Sequence, residues 1–134
     1  MSTAGVQVSA TTGDKPTVVL PDGPPPSELI VEDLVDGDGA TALARGTVTT
    51  HYVGTSWSHG AQFDASWDRG QPISFPLDGV IAGWTQGIPG MRVGGRRLLV
   101  IPPDLGYGAA SPTPAIAPND TLVFVIDLVD VDGG

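Results

Sequence analysis

One short apolar segment, residues 80–88, constrains the fold of this chain more than any other feature. Its apolar side chains recur every three to four residues, which is the spacing of a helix with one buried face. The segment includes Gly83 and Gly87, and each glycine costs a helix interior roughly 1 kcal/mol relative to alanine. So brief a helix is not stable alone, and other parts of the chain must cover its apolar face. We therefore predict a single helix held by a sheet.

The sequence around this helix is mostly typical of β-strands. We predict strands over residues 28–35, 47–55, 62–66, 72–76, 96–101 and 121–131, each bounded by turn-forming residues. Val48, Thr50 and Tyr52 share one face of the second strand, so Tyr52 and His51 cannot both point inward. These periodicities predict a strand-rich domain wrapped over one helix.

Residues 1–26 differ in composition from the rest of the chain. They are rich first in Ser, Thr, Ala and Gly and then in Pro, which is typical of a flexible arm. We expect disorder to about Asp14, and residues 16–20 are the candidate docking part of the arm because they carry its apolar patch. The compact domain is predicted at residues 27–131, with a short tail at 132–134. Residues 104–120 make a loop too long for a simple connection and predict a binding rim.

Charge and cysteine content argue against several classes of function. The formal net charge is −9 at pH 7. This argues against a nucleic-acid or anionic-membrane surface, and we interpret the cluster of Arg92, Arg96 and Arg97 as a solvated edge. The chain has no cysteine, so it has no disulfide or thiolate nucleophile, and this composition fits a reducing compartment. Since it also has no long apolar run and no signal-peptide pattern, we expect a cytoplasmic protein.

Two kinds of site are poorly supported by the residues. A metal site at His51 and His59 is disfavoured, because two histidines across a turn do not complete a ligand set. The three tryptophans, with Asp64 and Asp68 nearby, suggest carbohydrate hydrolysis. Both carboxylates are predicted in one turn, however, without the facing geometry that such hydrolysis requires.

Seven colinear motifs resemble those of one known family. In chain order they are His51-Tyr52-Val53-Gly54, Gln62-Phe63-Asp64-Ala65-Ser66, Val80-Ile81-Ala82-Gly83-Trp84, Gly90-Met91-Arg92-Val93-Gly94-Gly95, Ile101-Pro102-Pro103, Tyr107-Gly108 and Thr121-Leu122-Val123-Phe124. The pattern resembles the FK506-binding-protein family of peptidyl-prolyl isomerases, in the style of small single-domain actinobacterial members. The resemblance implies an α+β fold, a twisted antiparallel sheet of about five to six strands around one short helix. It implies catalysed rotation about the peptide bond before proline, with no cofactor and no metal.

The resemblance also implies roles for individual residues. Trp84 is expected to form the pocket floor under the substrate proline. Tyr107 and the backbone N–H of Ile81, in the first turn of the helix, are expected to donate to substrate carbonyls. Asp64, positioned by the hydroxyl of Tyr52, is expected to act by orientation and electrostatics. The other expected wall residues are Phe63, Ile73, Phe75, Val80, Ile116 and Phe124.

Each of the main assignments has a structural alternative when the residues are taken alone. Trp84 is also compatible with a side chain that merely fills the core. Asp64 could belong to an ordinary surface turn, and Tyr107 could simply cap its loop. The alternative left open for the whole protein is a non-catalytic module that binds proline segments in the same pocket.

Three departures from the family pattern affect ligand binding. Ile73 stands where an aromatic residue is common, residues 77–80 are shorter than usual, and residues 111–115 carry prolines. Macrolide affinity and the preferred residue before proline therefore do not carry over from the family. The expected partners are proline-containing polypeptide clients, with the macrolides FK506 and rapamycin as inhibitors and no nucleic acid or membrane. We expect a monomer.

Overall fold

The computed structural model describes residues 5–8, 15–43, 46–110 and 112–132. Numbered in chain order, its elements are β1 (Gln7–Val8), β2 (Val18–Val19), β3 (Ile30–Val35), β4 (Thr47–Ser56), β5 (Ala61–Ala65), β6 (Ile73–Pro76), α1 (Ala82–Gly87), β7 (Arg96–Ile101) and β8 (Leu122–Asp132). Two 3-10 turns lie at Ser66–Arg69 and Pro103–Leu105. The strands of the main sheet lie in the order β3-β7-β8-β4-β5, and β6 pairs with the other end of β4.

All six strands of this sheet pair antiparallel, and β1 and β2 form a separate two-stranded ribbon. The predicted fold, a sheet around one short helix, is confirmed for the described residues. The longest ladder joins β4 to β8, from Thr47 opposite Asp132 to Ser56 opposite Leu122.

The predicted faces of β4 are also confirmed. Val48, Thr50 and Tyr52 are 1%, 0% and 5% exposed, respectively. His51 lies on the other face, where its ring stacks on Trp67 with centroids 3.9 Å apart. Strand alternation therefore directs Tyr52 inward and His51 outward.

The two glycines of α1 bring the helix close to β7. An added Cβ at Gly83 would lie 2.6 Å from the Ile101 side chain, and one at Gly87 would lie 2.6 Å from the Leu99 side chain. Real Cβ atoms do not approach other heavy atoms so closely, so a larger residue at either position would displace the Ile101 or Leu99 side chain or the helix itself. The helix keeps residues that weaken it because its packing requires them.

The helix begins later than the sequence predicted. Ile81 has extended backbone angles, with φ −59° and ψ 150°, and is the N-cap residue rather than part of the first turn. The regular helix starts at Ala82, so the prediction of a helical segment from residue 80 was too long at its start. Periodicity cannot detect this boundary, because Val80 and Ile81 are apolar whether or not they are helical.

The predicted solvated edge at Arg96 and Arg97 is wrong. Arg96 is 0% exposed, and its Nη2 donates to Asp127 Oδ2 at 2.8 Å. Arg97 is 8% exposed, pairs with Asp33, and donates from Nη1 to the Gly87 carbonyl at 2.8 Å. A cation at this end of α1 satisfies carbonyls that lack helical partners and complements the helix dipole. The net negative charge of the chain gave no sign of these internal partners.

β8 is buried on both faces. One face contributes to the inner core around α1, through Leu122, Phe124, Ile126 and Leu128. The opposite face contributes to a second group, the outer cluster, which consists of Val6, Leu98, Val100, Val123 and Val125. Burial on two sides explains why β8 reads as a continuous apolar run.

Part of the N-terminal arm covers the outer cluster. Val6 is 4% exposed, and Val18 and Leu20 pack against the same cluster. The indole N–H of Trp57 donates to the carbonyl of Gly23 at 3.2 Å, which adds a polar contact between the arm and β4's C-terminal end. The prediction of disorder to Asp14 is wrong for residues 5–8, where Val6 is buried and β1 pairs with β2. The rest of that prediction, on residues 1–4 and 9–14, and most of the predicted tail, on 133–134, lie outside the described residues. The flexibility of the arm and the boundaries at residues 26 and 131 stay predictions.

Candidate active site

A cavity of about 490 Å³ opens at the start of α1, against the inner face of the sheet. Its lining residues come from β4, β5, β6, α1, β8 and the intervening loops. They are Tyr52, Phe63, Asp64, Phe75, Gly79, Val80, Ile81, Trp84, Tyr107 and Phe124. The fold thus brings together all the predicted site residues except Ile73 and Ile116, and it adds Gly79.

Trp84 forms the aromatic centre of this lining and is 4% exposed. Its ring centroid lies 5.5 Å from Tyr52, 5.1 Å from Phe75 and 5.3 Å from Phe124. The interplanar angles are between 77° and 88°, so each neighbour meets the indole edge to face. This is a favourable geometry for aromatic pairs, and it holds the indole in one orientation.

A glycine on β4 makes room for the second aromatic contact of the wall. The rings of Phe63 and Phe124 meet edge to face with centroids 5.5 Å apart. An added Cβ at Gly54 would lie 2.6 Å from Phe63 and 2.9 Å from Phe124. The Tyr-Val-Gly motif therefore places its glycine where the two rings of the cavity wall pass over the strand.

The polar rim of the cavity is a closed group of three side chains. The Tyr52 hydroxyl donates to Asp64 Oδ2 at 2.7 Å. Arg69 donates from Nη1 to Asp64 Oδ1 and from Nη2 to the Tyr52 hydroxyl, each at 2.7 Å. Arg69 was not among the predicted site residues. The signal that could have found it is its position at the end of the turn that begins just after Asp64, where the 3-10 geometry turns it back toward the carboxylate.

Burial and hydrogen bonding within this group shift the pKa values of Tyr52 and Asp64 in opposite directions. Burial raises the pKa of Tyr52 to about 12, and its bond to Asp64 acts in the same direction. Burial would raise the pKa of Asp64, but hydrogen bonds from Arg69 and Tyr52 outweigh it and hold the pKa below its usual value. At neutral pH Tyr52 is therefore a neutral phenol and Asp64 a fixed carboxylate.

Tyr107 lies on the opposite rim, in the loop that follows the second 3-10 turn, and is 39% exposed. The Gly108 N–H donates to the Pro103 carbonyl at 2.8 Å, and the Asn119 N–H donates to the Gly108 carbonyl at 2.7 Å. Both bonds hold the backbone of Gly108, the residue that follows the tyrosine. The Tyr107 hydroxyl makes no hydrogen bond with any described residue, so it is available to a ligand.

Ile81 offers a second available donor beside the indole. Its carbonyl accepts the Trp84 N–H at 3.0 Å and the Thr85 N–H at 3.2 Å, which fixes its peptide plane at the start of α1. Its own N–H has no acceptor among the residues that the structure describes. An N–H just before a helix has no intrahelical partner, and here it belongs to a cavity-lining residue.

Ile73 and Ile116 lie outside the cavity lining. Ile73 pairs with Thr50 across β6 and β4 and packs, partly buried, against the inner core. Ile116 is 3% exposed and belongs to that core. Both residues therefore lie in or against the core beside the cavity, and their contact with a ligand stays a prediction.

The residues considered for a metal site, and one of the two carboxylates considered for a hydrolytic site, lie outside the cavity lining. Asp68 is not in the cavity lining, and its carboxylate pairs with Lys15 at 2.7 Å. On the outer side of the sheet, a hydrogen bond of 2.8 Å joins His51 Nδ1 and the Ser66 hydroxyl. Among the described residues, no group of three His, Asp or Glu side chains is arranged to hold a metal ion.

Comparison with known proteins identifies the family. The model of the FKBP-type peptidyl-prolyl cis-trans isomerase family matches residues 39–129. The chain belongs to this FKBP-type isomerase family. The FK506-binding protein of Streptomyces anulatus is 51% identical over 121 residues, which cover 88% of this chain and 98% of that protein.

Two further relatives of the isomerase carry the name of the enzyme. The FKBP-type peptidyl-prolyl cis-trans isomerase FkpA of Escherichia coli is 47% identical over 103 residues, covering 77% of this chain and 37% of that longer protein. A solved structure of a peptidyl-prolyl cis-trans isomerase from Pseudomonas syringae has a TM-score of 0.71 at 39% identity, covering 78% of this chain and 76% of that chain. The family predicted from the seven motifs, and the assignment of the protein as a peptidyl-prolyl isomerase, are confirmed.

The only α-helix of the isomerase among the described residues is α1, which has six residues. No helix in those residues is long and apolar enough to cross a membrane.

Proposed function

We propose that the aromatic cavity is the catalytic site of this isomerase and that it acts without covalent chemistry. The barrier to rotation is about 18–20 kcal/mol, because the planar amide has resonance that the twisted amide lacks. The planar amide is also the more charge-separated form, so an apolar cavity disfavours it relative to the twisted one. The observation that carries this proposal is the buried indole of Trp84, held edge-on by three rings beside an open cavity.

In this proposal the substrate proline lies on Trp84, and its flanking carbonyls accept hydrogen bonds from Tyr107 and Ile81. Both donors line the cavity, and neither is engaged by a described residue, so binding breaks no internal bond. A donor fixed in place before the substrate arrives stabilises a particular geometry without reorganisation. We propose that the geometry it favours is the twisted amide.

We propose that Asp64 and Tyr52 act through charge and position rather than through proton transfer. Rotation about an amide bond moves no proton, and the pKa directions keep Asp64 ionised and Tyr52 neutral around pH 7. Arg69 joins this unit as the residue that holds both partners. The remaining proposed contacts are those of the walls: Phe63, Phe75, Val80 and Phe124, with Ile73 and Ile116 behind them.

We also propose that the same cavity binds the macrolides FK506 and rapamycin and is inhibited by them. The support is its aromatic lining, together with the name of the Streptomyces anulatus relative as an FK506-binding protein. The segment before Ile81 is shorter than usual for the family and adjoins the cavity-lining residues Gly79 and Val80, so the affinity has to be measured on this protein.

The proposed clients are proline-containing polypeptides in the cytoplasm, on which the isomerase would act as a monomer in protein folding. The cysteine-free composition fits a reducing compartment. The net charge of −9 disfavours nucleic acid and anionic membrane as partners. Size-exclusion chromatography with light scattering and fractionation of cells that produce the protein test the monomer and the location.

Two-dimensional NMR exchange on a short peptide with a Leu-Pro bond tests the catalytic proposal. Uncatalysed exchange takes tens of seconds or longer. With catalytic amounts of the protein we expect cis and trans signals to exchange far faster, and we expect FK506 to abolish the acceleration. Binding of the peptide at the background exchange rate would overturn catalysis and leave the alternative, a proline-binding module.

A further inference from the structure

Lys15, the single lysine of the chain, reaches from the N-terminal arm to the turn that carries Arg69. Its Nζ donates to Asp68 Oδ1 at 2.7 Å, across a separation of 53 residues. The other oxygen of that carboxylate, Oδ2, accepts from Gln62 Nε2 at 2.7 Å. Both oxygens of Asp68 are thus occupied by groups other than its neighbour Arg69.

Two carboxylates lie near the Arg69 guanidinium: Asp64, which it bonds, and Asp68, on which its charge acts. Arg69 follows Asp68 directly in the chain, yet both of its described bonds go to Asp64 and Tyr52. Hydrogen bonds from Lys15 and Gln62 lower the pKa of Asp68, and the charge of Arg69 acts in the same direction. Asp68 therefore remains ionised and, without Lys15, would be a charged acceptor within reach of the Arg69 turn.

The packing of the arm explains how a distant lysine comes to this place. Val18 and Leu20, a few residues after Lys15, pack against the outer cluster. β2, which contains Val18, is further held by its pairing with β1. The docked segment therefore brings the Lys15 ammonium to Asp68, in the turn that also carries Arg69.

We propose that Lys15 is a positioning residue for the isomerase: by pairing with Asp68 it leaves Arg69 to hold Asp64 and Tyr52. This rests on the proposed role of that rim group in catalysis. The rival explanation is that the Lys15–Asp68 ion pair only fastens the arm to the domain. The side chains of Lys15 and Asp68 are 41% and 52% exposed, and an exposed ion pair contributes little to folding stability. We therefore expect loss of the Lys15–Asp68 pair to change turnover rather than folding stability.

The test compares Lys15→Ala, Lys15→Arg and the double variant Lys15→Ala/Asp68→Asn. We expect Lys15→Ala to lower kcat roughly two- to fivefold, the range available to an exposed ion pair, with KM and the melting temperature nearly unchanged. Lys15→Arg should keep the wild-type rate. The double variant should recover it, because the neutral amide introduced at position 68 no longer competes for Arg69. Arg92→Ala, which removes one positive charge elsewhere, is the matched control and should leave the rate unchanged.

If the ion pair only fastens the arm, the rates and melting temperatures of the variants should differ from those expected above. The double variant would then be as slow as Lys15→Ala, or both would lose melting temperature without a change in kcat, and either result overturns the proposal. The NMR signal of the Arg69 Nε–H provides a readout that does not depend on activity. It should shift in Lys15→Ala and return in the double variant. If the wild type does not accelerate proline isomerisation, the proposed function fails, while this signal still decides whether Lys15 directs Arg69.

Discussion

The two faces of the main sheet are formed by the same strands but are packed differently. On the inner face, Trp84 meets Tyr52 and Phe124 edge to face at centroid distances of 5.5 and 5.3 Å, beside a cavity of about 490 Å³. On the outer face, the four strand residues of the outer cluster are at most 1% exposed and lie under the arm. The inner face keeps an open cavity beside the indole, whereas the arm covers the outer cluster.

The difference comes from the shapes of the side chains. Branched aliphatic groups interdigitate and fill the space between elements to the density of a crystal. On the inner face, flat rings hold one another edge to face, and the space beside them is the open cavity. Changes on the outer face should therefore alter mainly stability, and changes on the inner face mainly ligand binding and turnover.

The largest effect is expected at the ion pair on the outer side of β8. Asp127→Ala removes the carboxylate that pairs with the guanidinium of Arg96, which is 0% exposed. We expect the free energy of unfolding to fall by about 3–5 kcal/mol, measured by urea unfolding. Affinity for a proline peptide should not change in the folded fraction.

The double variant Arg96→Met/Asp127→Leu is the control for this pair, because it removes both charges together. We expect it to recover most of the lost stability. A loss below about 1 kcal/mol in Asp127→Ala, the range of exposed pairs, would mean that solvent reaches this pair.

The next largest effect is expected when one tryptophan on each face of the sheet is replaced by leucine and the two variants are compared. Trp84→Leu should weaken binding of a proline peptide about thirtyfold, equivalent to about 2 kcal/mol, because it removes the central ring of the cavity. Trp57→Leu alters a tryptophan packed on the outer cluster and should leave affinity unchanged. Titration calorimetry measures both, and equal affinities in the two variants would disprove the assignment of the cavity as the binding site.

A smaller effect is expected when the charge at the rim is removed while the aromatic walls remain. Asp64→Leu should lower kcat about tenfold, equivalent to about 1.4 kcal/mol in the barrier, with a smaller change in stability. Asp22→Leu, which removes an exposed carboxylate of the arm, is the matched control. Full activity in Asp64→Leu would remove Asp64 from the catalytic group.

The smallest effect concerns acid stability of the rim. Burial opposes ionisation of Asp64, but bonds from Arg69 and Tyr52 prevail, so its pKa is lower in the folded chain than the unfolded value of about 3.9. This stabilisation is present above the unfolded pKa and is lost as the pH falls through the folded pKa. Because the Asp64 side chain is 39% exposed, we expect less than about 1 kcal/mol.

Urea unfolding of the wild type and of Asp64→Asn between pH 7 and pH 2 measures this contribution. The two stabilities should differ at pH 7 and converge at the acid end. A difference that stays constant over the range would show that the loss does not come from ionisation of Asp64.

Local patterns were sufficient for much of the fold and for the aromatic part of the site. Alternation along β4 separated Tyr52 from His51, because successive side chains of a strand point to opposite faces. The seven motifs indicated the family, since their order and spacing are set by one fold. The cavity residues Phe63, Trp84 and Phe124 followed from those motifs.

The polar contacts could not be predicted in the same way. Arg96 and Arg97 occupy a short basic run that is typical of a solvated surface, yet both are buried and pair with carboxylates on strands distant in sequence. Arg69 and Lys15 gave no periodic signal, because the position of a charged side chain depends on partners brought together by folding.

The sequence by itself determined which segments form the strands of the main sheet, which segment contains the helix, and that Tyr52 and His51 face opposite ways, because these follow from periodicity within a few residues. Only the tertiary structure decided that two glycines set the distance between α1 and β7, that Arg69 completes the rim with Tyr52 and Asp64, and that the arm lies on the outer face. Those features depend on contacts between residues far apart in the chain, and their energies exist only once the chain has folded around them.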